Sequence, residues 1–282
     1  MALTGASQFM HTKQAMNFKN RYGPWAVVTG ASSGIGQACA RELSTTGLNL
    51  LLVARRQDEL RALAMELGAT GGGEMQVVAA DLATTAGLTR VETATKNLDV
   101  GLLVAAAGFG TSGEFLSGDL ADELAMLDLN CRASLQQSLH FGRRFAARGK
   151  GGLILFGSLV GFQGSPAAAH YAATKAYVQT LAEGLHVELA SRGVDVLASA
   201  PGPVHSGFAD RARMKMGAAD QPAAVARSTV AALGRKMTVT PGALGKFLTG
   251  SLMLAPRSLR TRIMGKIMGG LTKDQARPGL SV

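Results

Sequence analysis

The feature that most constrains this chain is a set of short, unbroken apolar runs, each set off from the next by a longer amphipathic stretch. The runs are Trp25–Thr29, Leu48–Ala54, Met75–Ala79, Leu102–Ala106, Leu153–Phe156 and Val194–Ala200. Each has the length of a strand, and none alternates polar with apolar residues. That is the pattern of strands covered by helices on both faces. The stretches between them predict helices near Ile35–Thr45, Gln57–Leu67, Thr84–Asn97, Leu120–Ala147 and Ala167–Arg192. Strands and helices in alternation build βαβ units. The expected fold is therefore α/β, a single doubly wound parallel sheet (Rossmann-type) of about seven strands with helices on both faces.

Neither a repeat nor a linker divides residues 21–241, which are expected to form one catalytic domain. Gly71–Gly73 reads as a turn before the third strand, and the polar, broken stretch Ser206–Pro222 as a mobile cover over a site. A helix near Pro222–Leu233 and a short strand near Met237–Thr240 should follow. Residues 1–20 read as a flexible N-terminal extension, in which Met16 offers an alternative start, and 242–282 as a short helical C-terminal extension.

Bulk properties narrow the class. The chain is 47% hydrophobic with 36 glycines, enough apolar mass for a large core and enough glycine for many tight turns. Two cysteines, Cys39 and Cys131, make neither a disulfide framework nor a zinc site, and the five histidines show no metal spacing. The polar start has no secretory apolar region, and no stretch has the roughly 20 apolar residues a spanning helix takes. The expected location is cytoplasmic. The net charge of +10 is concentrated from Arg235 onward, where nine basic residues face one acid, Asp274. Little aromatic content and no recognised fold argue against nucleic acid as the partner.

Three constellations carry chemistry. The first, Thr29-Gly30-Ala31-Ser32-Ser33-Gly34-Ile35-Gly36, leaves the first strand and opens the first helix. Glycines there permit a sharp turn and close approach to a pyrophosphate, and the helix start offers free N–H groups and a positive dipole end. The second is the end of strand two, Val53-Ala54-Arg55-Arg56. An acid at this point would bind a ribose 2′-hydroxyl and repel a 2′-phosphate. Arg55, assisted by Arg56 and by Ser32 or Ser33, would instead grip the 2′-phosphate, which points to NADP. The third is Ser158, Tyr171 and Lys175. Tyr171 and Lys175 lie four residues apart and share one helix face, with Ser158 at a strand end. An ammonium beside the phenol is expected to lower its pKa from about 10 towards working pH, so that Tyr171 can exchange a proton with a carbonyl or alcohol oxygen. Ser158 would hold the same oxygen, and Lys175 the nicotinamide ribose.

Taken together, the T-G-x-x-x-G-x-G turn, the serine and the Y-x-x-x-K pair resemble the short-chain dehydrogenase/reductase family over about Trp25 to Pro241. The resemblance implies further roles. Asp81-Leu82 would lie beside the adenine, although Asp81 reads equally well as an N-cap. Ala107 and Gly108 would let the cofactor pass. Asn130 would hold a proton-relay water, and Pro201-Gly202-Pro203-Val204 with Ser206 would meet the nicotinamide, leaving His205 a loop residue. The family's asparagine pair on strand four is replaced by Ala105 and Ala106, so that strand end is expected to be held by packing alone.

The implied activity is NADP(H)-dependent transfer of hydride between nicotinamide and a carbonyl or secondary alcohol, probing most naturally as reduction of an apolar ketone, aldehyde or ketoacyl compound. An oxidative alcohol dehydrogenase and a non-catalytic NADP-binding sensor or scaffold are the alternatives. A homodimer or homotetramer is implied through the two longest helices. The basic, apolar tail is similar to that of the family's DltE-like and ketoacyl-reductase-like branch. Its apolar face is expected to cover the domain or a second subunit, with peripheral contact at a membrane surface as the rival.

Overall fold

The computed structural model describes residues 18–272 apart from 71, 216, 218, 243–244, 246–249 and 251–254. Seven parallel strands form one sheet: β1 Trp25–Thr29, β2 Asn49–Ala54, β3 Met75–Ala79, β4 Val100–Ala105, β5 Gly151–Phe156, β6 Val194–Ser199 and β7 Thr238–Val239. Their spatial order is β3-β2-β1-β4-β5-β6-β7. Chain direction across the sheet reverses between β1 and β4, and the carboxyl ends of the strands open a crevice there.

The unbroken apolar runs are explained by two cores, one on each face. Ala26, Val28, Leu50, Leu52, Leu102, Val104 and Ile154 pack on one side. Their immediate neighbours Val27, Leu51, Val53, Leu103, Leu153 and Leu155 pack on the other. Successive side chains of a strand point to opposite faces, so burial on both sides requires every position to be apolar.

The helices are α1 Gly34–Ser44, α2 Gln57–Ala69, α3 Thr85–Ala94, α4 Leu120–Leu127, α5 Ala133–Arg148, α6 Ala169–Ala190, α7 Phe208–Arg211, α8 Pro222–Ala232 and α9 Arg257–Leu271. The expected single helix over 120–147 is corrected: a π-helical turn, Asp128–Arg132, separates α4 from α5. Asp119 starts α4 by accepting from the N–H groups of Ala121 and Asp122 at 2.7 and 3.3 Å, and Gly149 (φ 71°) ends α5. The N-cap of α3 is Thr84, which accepts from Gly87 N–H at 3.0 Å. Asp81 sits earlier, accepting from Ala83 N–H at 3.0 Å, so its reading as the cap is corrected too.

Phe18 and Tyr22 pack onto the core ahead of β1, whereas 1–17 of the expected N-terminal extension lie outside the described residues. So does Gly71 of the turn at Gly71–Gly73, as does much of the expected basic tail. Within the described part of that tail, helix α9 lies on the domain with Met264 and Met268 buried. The 206–222 segment is tied down by the bridge of Val204 to Asp220 and by Lys215 N–H donating to Leu271 O at 2.9 Å. Among the described residues, no helix is long and apolar enough to cross a membrane.

Candidate active site

The β1–α1 loop lies at the point where strand order reverses. Gly30 and Gly34 adopt left-handed backbone (φ 67° and 56°), which favours glycine. A Cβ on Gly36 would stand 2.4 Å from Gly30 O, so that position is closed to any side chain while the helix keeps its place. The cap residue Ser33 makes no side-chain capping bond, and the first turn of α1, with Ile35, faces the crevice. Arg55 is exposed beside it. Arg56 Nη2 donates to Ser32 O (3.2 Å) and Ser32 Oγ (3.1 Å), and Nη1 pairs with Glu59 at 3.2 Å. A cradle with open N–H groups and two guanidiniums suits the phosphates of a dinucleotide. Asp81, Leu82, Ala107 and Gly108 continue its wall, as do Pro201, Gly202, Val204 and Ser206.

The end of β4 is not held by packing alone, as its missing amides had suggested. Thr29 Oγ1, fully buried in β1, donates to Val104 O (3.4 Å) and accepts from Ala107 N–H (3.2 Å). A hydroxyl on the neighbouring strand therefore ties the end of β4 to β1. Thr29→Val keeps the shape and leaves the Ala107 N–H without its partner, which should lower stability by about 1–3 kcal/mol. Denaturant unfolding of the variant, at unchanged m-value, would measure it.

Ser158, Tyr171 and Lys175 converge across the crevice from that loop, and all three are buried. Ser158 follows β5 and, with a 3.4 Å bond from Val160 N–H, caps the short 3-10 turn Leu159–Phe162. Tyr171 and Lys175 project from the first turns of α6. Lys175 Nζ donates to Phe156 O at 2.8 Å and lies 6.0 Å from the Tyr171 ring centroid. The expected depression of the phenol pKa is corrected. Burial pushes Tyr171 up to about 12, opposed by the hydrogen bond with Ser158. Burial likewise lowers Lys175 to about 8. Desolvation outweighs the lysine charge because the ammonium is turned to a backbone carbonyl rather than to the phenol oxygen.

Asn130 lies in the π-turn. Its Nδ2 donates to Phe109 O (2.8 Å) and Thr174 Oγ1 (3.0 Å), and Oδ1 accepts from Phe109 N–H (3.2 Å). It thus joins the β4 end to α6 one residue before Lys175. A Cβ on Gly108 would stand 3.0 Å from Asn130 Oδ1 and 3.4 Å from Lys175 Nζ, so a side chain here would crowd both groups.

Beyond Tyr171 the crevice widens into an apolar chamber, and the whole cavity measures about 610 Å³. Its walls come from Phe109, Phe208, Met214, Met264 and Met268, none of them singled out by the sequence motifs. The spacing of Arg260, Met264 and Met268, four residues apart along one helix, is the signal that could have found the last two. Among the described residues, no cluster of side chains is suited to a metal.

This fold, with a dinucleotide cradle facing a Ser–Tyr–Lys group, defines an oxidoreductase of nicotinamide type. The sequence model for short chain dehydrogenases matches residues 24–217, and the chain belongs to that family. It is 34% identical over 235 residues to a 7beta-hydroxysteroid dehydrogenase of Clostridium sardiniense, covering 82% of this chain and 90% of that protein. A solved 7beta-hydroxysteroid dehydrogenase structure superposes with a TM-score of 0.81 at 26% identity, covering 88% of this chain and 98% of the other. A short-chain dehydrogenase from Sphingobium yanoikuyae in complex with NADPH gives a TM-score of 0.73 at 27% identity, covering 91% and 99%.

Proposed function

We propose that this protein is an NADP(H)-dependent reductase of apolar ketones, aldehydes or ketoacyl compounds, working in the cytoplasm as a homodimer or homotetramer. The observation that carries the reading is the position of Ser158, Tyr171 and Lys175 between the glycine cradle and the apolar chamber. The bound nicotinamide supplies the hydride. Around it, the N–H groups of the Gly30–Gly36 loop hold the pyrophosphate, with Ser32, Ser33, Gly34 and Ile35 in that cradle. Arg55 and Arg56 meet the 2′-phosphate, and Asp81 and Leu82 border the adenine. Ala107, Gly108, Pro201, Gly202, Val204 and Ser206 flank the nicotinamide, and Lys175 holds its ribose.

Ser158 donates to the substrate oxygen and fixes it against Tyr171. With its pKa held up near 12, the Tyr171 phenol is protonated at neutral pH, the state in which it gives a proton to a carbonyl oxygen. Asn130, in the π-turn, sets the backbone of Phe109 and the spacing to α6, and retains one acceptor position for a relay water.

The reading is tested by NADPH and NADH consumption with a panel of aldehydes, ketones and ketoacyl thioesters. NADPH-preferring turnover is the expected result, and no turnover despite NADPH binding would sink it in favour of a cofactor sensor. Arg55→Asp removes the cation and restores an acid at the end of β2. It should shift the NADPH-to-NADH ratio of kcat/KM towards NADH by about 10–100-fold, since each pairing there is a charge-assisted contact. An unchanged ratio would assign the 2′-phosphate elsewhere.

A further inference from the structure

We propose that Gln163 is a specificity-determining residue, whose side-chain oxygen accepts a hydrogen bond from a hydroxyl on the substrate, away from the carbonyl that is reduced. The inference rests on the reductase reading above and names a second polar group on an otherwise apolar substrate. Gln163 lines the cavity and is only 5% exposed. Its Nε2 donates to Leu159 O at 2.9 Å. A carbonyl can only accept, so this bond fixes which arm of the amide is nitrogen and which is oxygen. Among the described residues nothing donates to the oxygen arm, Oε1. Nor is Oε1 sealed inside the protein, as the unpartnered Oε1 atoms of Gln137 and Gln179 are. In a residue this deeply buried, the open space it meets is the cavity. An amide oxygen in a largely apolar wall costs free energy until a donor reaches it.

The amide is held at a fixed place relative to the reacting oxygen. Leu159, which receives its N–H, directly follows Ser158, and the Leu159 N–H donates to Pro201 O at 3.1 Å. The 3-10 turn Leu159–Phe162 is pressed onto α6, since a Cβ on Gly161 would stand 2.8 Å from the Lys175 backbone. On the other side of Gln163 the chain meets α9, where a Cβ on Gly164 would stand 3.3 Å from Thr261 Oγ1. Gln163 therefore lies between the Ser158 end of the cavity and the α9 wall. Its acceptor cannot swing aside without giving up Leu159 O, so little order has to be created when a donor binds. A hydroxyl fits the place: it brings the missing proton and no charge to desolvate. A ketone that filled the chamber without one would leave Oε1 buried and unpaired, and would be penalised for it.

The test is calorimetric titration of the full chain, with oxidised cofactor present, against pairs of ketones that end in a hydroxyphenyl or a fluorophenyl group. Fluorine is close to a hydroxyl in size but has no proton to give, and the pairs span a series of chain lengths between ring and carbonyl. At the length that reaches Gln163, the hydroxyl member should bind about 10-fold more tightly than its partner. Gln163→Met keeps an unbranched side chain of similar length without the acceptor, and should bring the two members to within about 2-fold. Gln163→Glu gives up the bond to Leu159 O but keeps an acceptor, and should keep most of the preference. Equal affinity of the two members at every length in the wild-type protein overturns the proposal, as does a preference that survives Gln163→Met. Equal loss in both variants also overturns it, because the amide would then serve only to hold Leu159. These titrations involve no hydride transfer, so their outcome is separate from that of the cofactor-consumption assay.

Discussion

Tyr171→Phe should lower kcat by about 10²–10⁴-fold, the range in which a positioned acid or base contributes, while leaving the fold and NADPH affinity close to wild type. The phenol oxygen is the atom removed. The ring that packs against Phe208, within the cluster holding Met214 and Met264, is retained. Because the wild-type phenol is neutral when buried, its replacement introduces no uncompensated charge and relieves the Ser158 hydroxyl of a single partner. A parallel fall in kcat and kcat/KM is the signature of a group acting in the transition state alone. A Phe variant with full turnover would show that the proton comes from another group and that the constellation is structural.

Lys175→Met should also abolish most turnover, by about 10²-fold or more, and it should change how stability responds to pH. Burial lowers the lysine to about 8, against 10.5 in the unfolded chain. Between those values the unfolded chain still binds a proton that the folded chain has shed, so the lysine's own contribution to stability rises with pH. Tyr171 acts oppositely above pH 10, where the unfolded phenol ionises and the buried one, near 12, does not. Buried Cys39 and Cys131, pushed by burial from 9.0 up to about 12 and about 11, also act oppositely once the unfolded thiols ionise. The lysine linkage of about 2 kcal/mol between pH 8 and 10 is therefore read as a difference in slope between wild type and variant. The methionine variant lacks that contribution, so its stability should fall more steeply, or rise less, with pH than that of the wild type. Denaturant midpoints measured across the window decide the matter: an identical slope in both proteins would mean that Lys175 is not desolvated. The bond to Phe156 O is lost in the variant, so its stability at pH 7 reflects both the relieved charge and the orphaned carbonyl.

The strands and the cradle were legible because each depends on local information. Burial on both faces writes itself into every residue of β1, β2 and β4, and the glycine spacing states its own backbone requirement. The features that escaped reading depend on contacts between distant segments. The break after Leu127 coincides with Asn130 reaching Phe109 and Thr174, which are 21 and 44 residues away in sequence. The tie at the end of β4 comes from Thr29, 75 residues before its partner Val104. The direction of the Tyr171 shift was inverted for the same reason: an i, i+4 pair on a helix announces proximity to lysine, whereas the depth of burial is set by Phe109, Phe208 and α9. Most of the chamber's apolar wall carried no motif, since any apolar residue of the right size would serve in those places.

One arrangement bears on how such a protein could change. The residues that manage the proton and the nucleotide all lie within the stretch 24–217 that matches the family. The wall formed by α9 begins at Arg257 and touches the chamber through one stripe of side chains. The part of the chamber wall that α9 supplies is thereby encoded apart from the residues that act on the substrate. A graft of this closing helix between relatives would be expected to redirect substrate choice while the reaction itself is inherited intact.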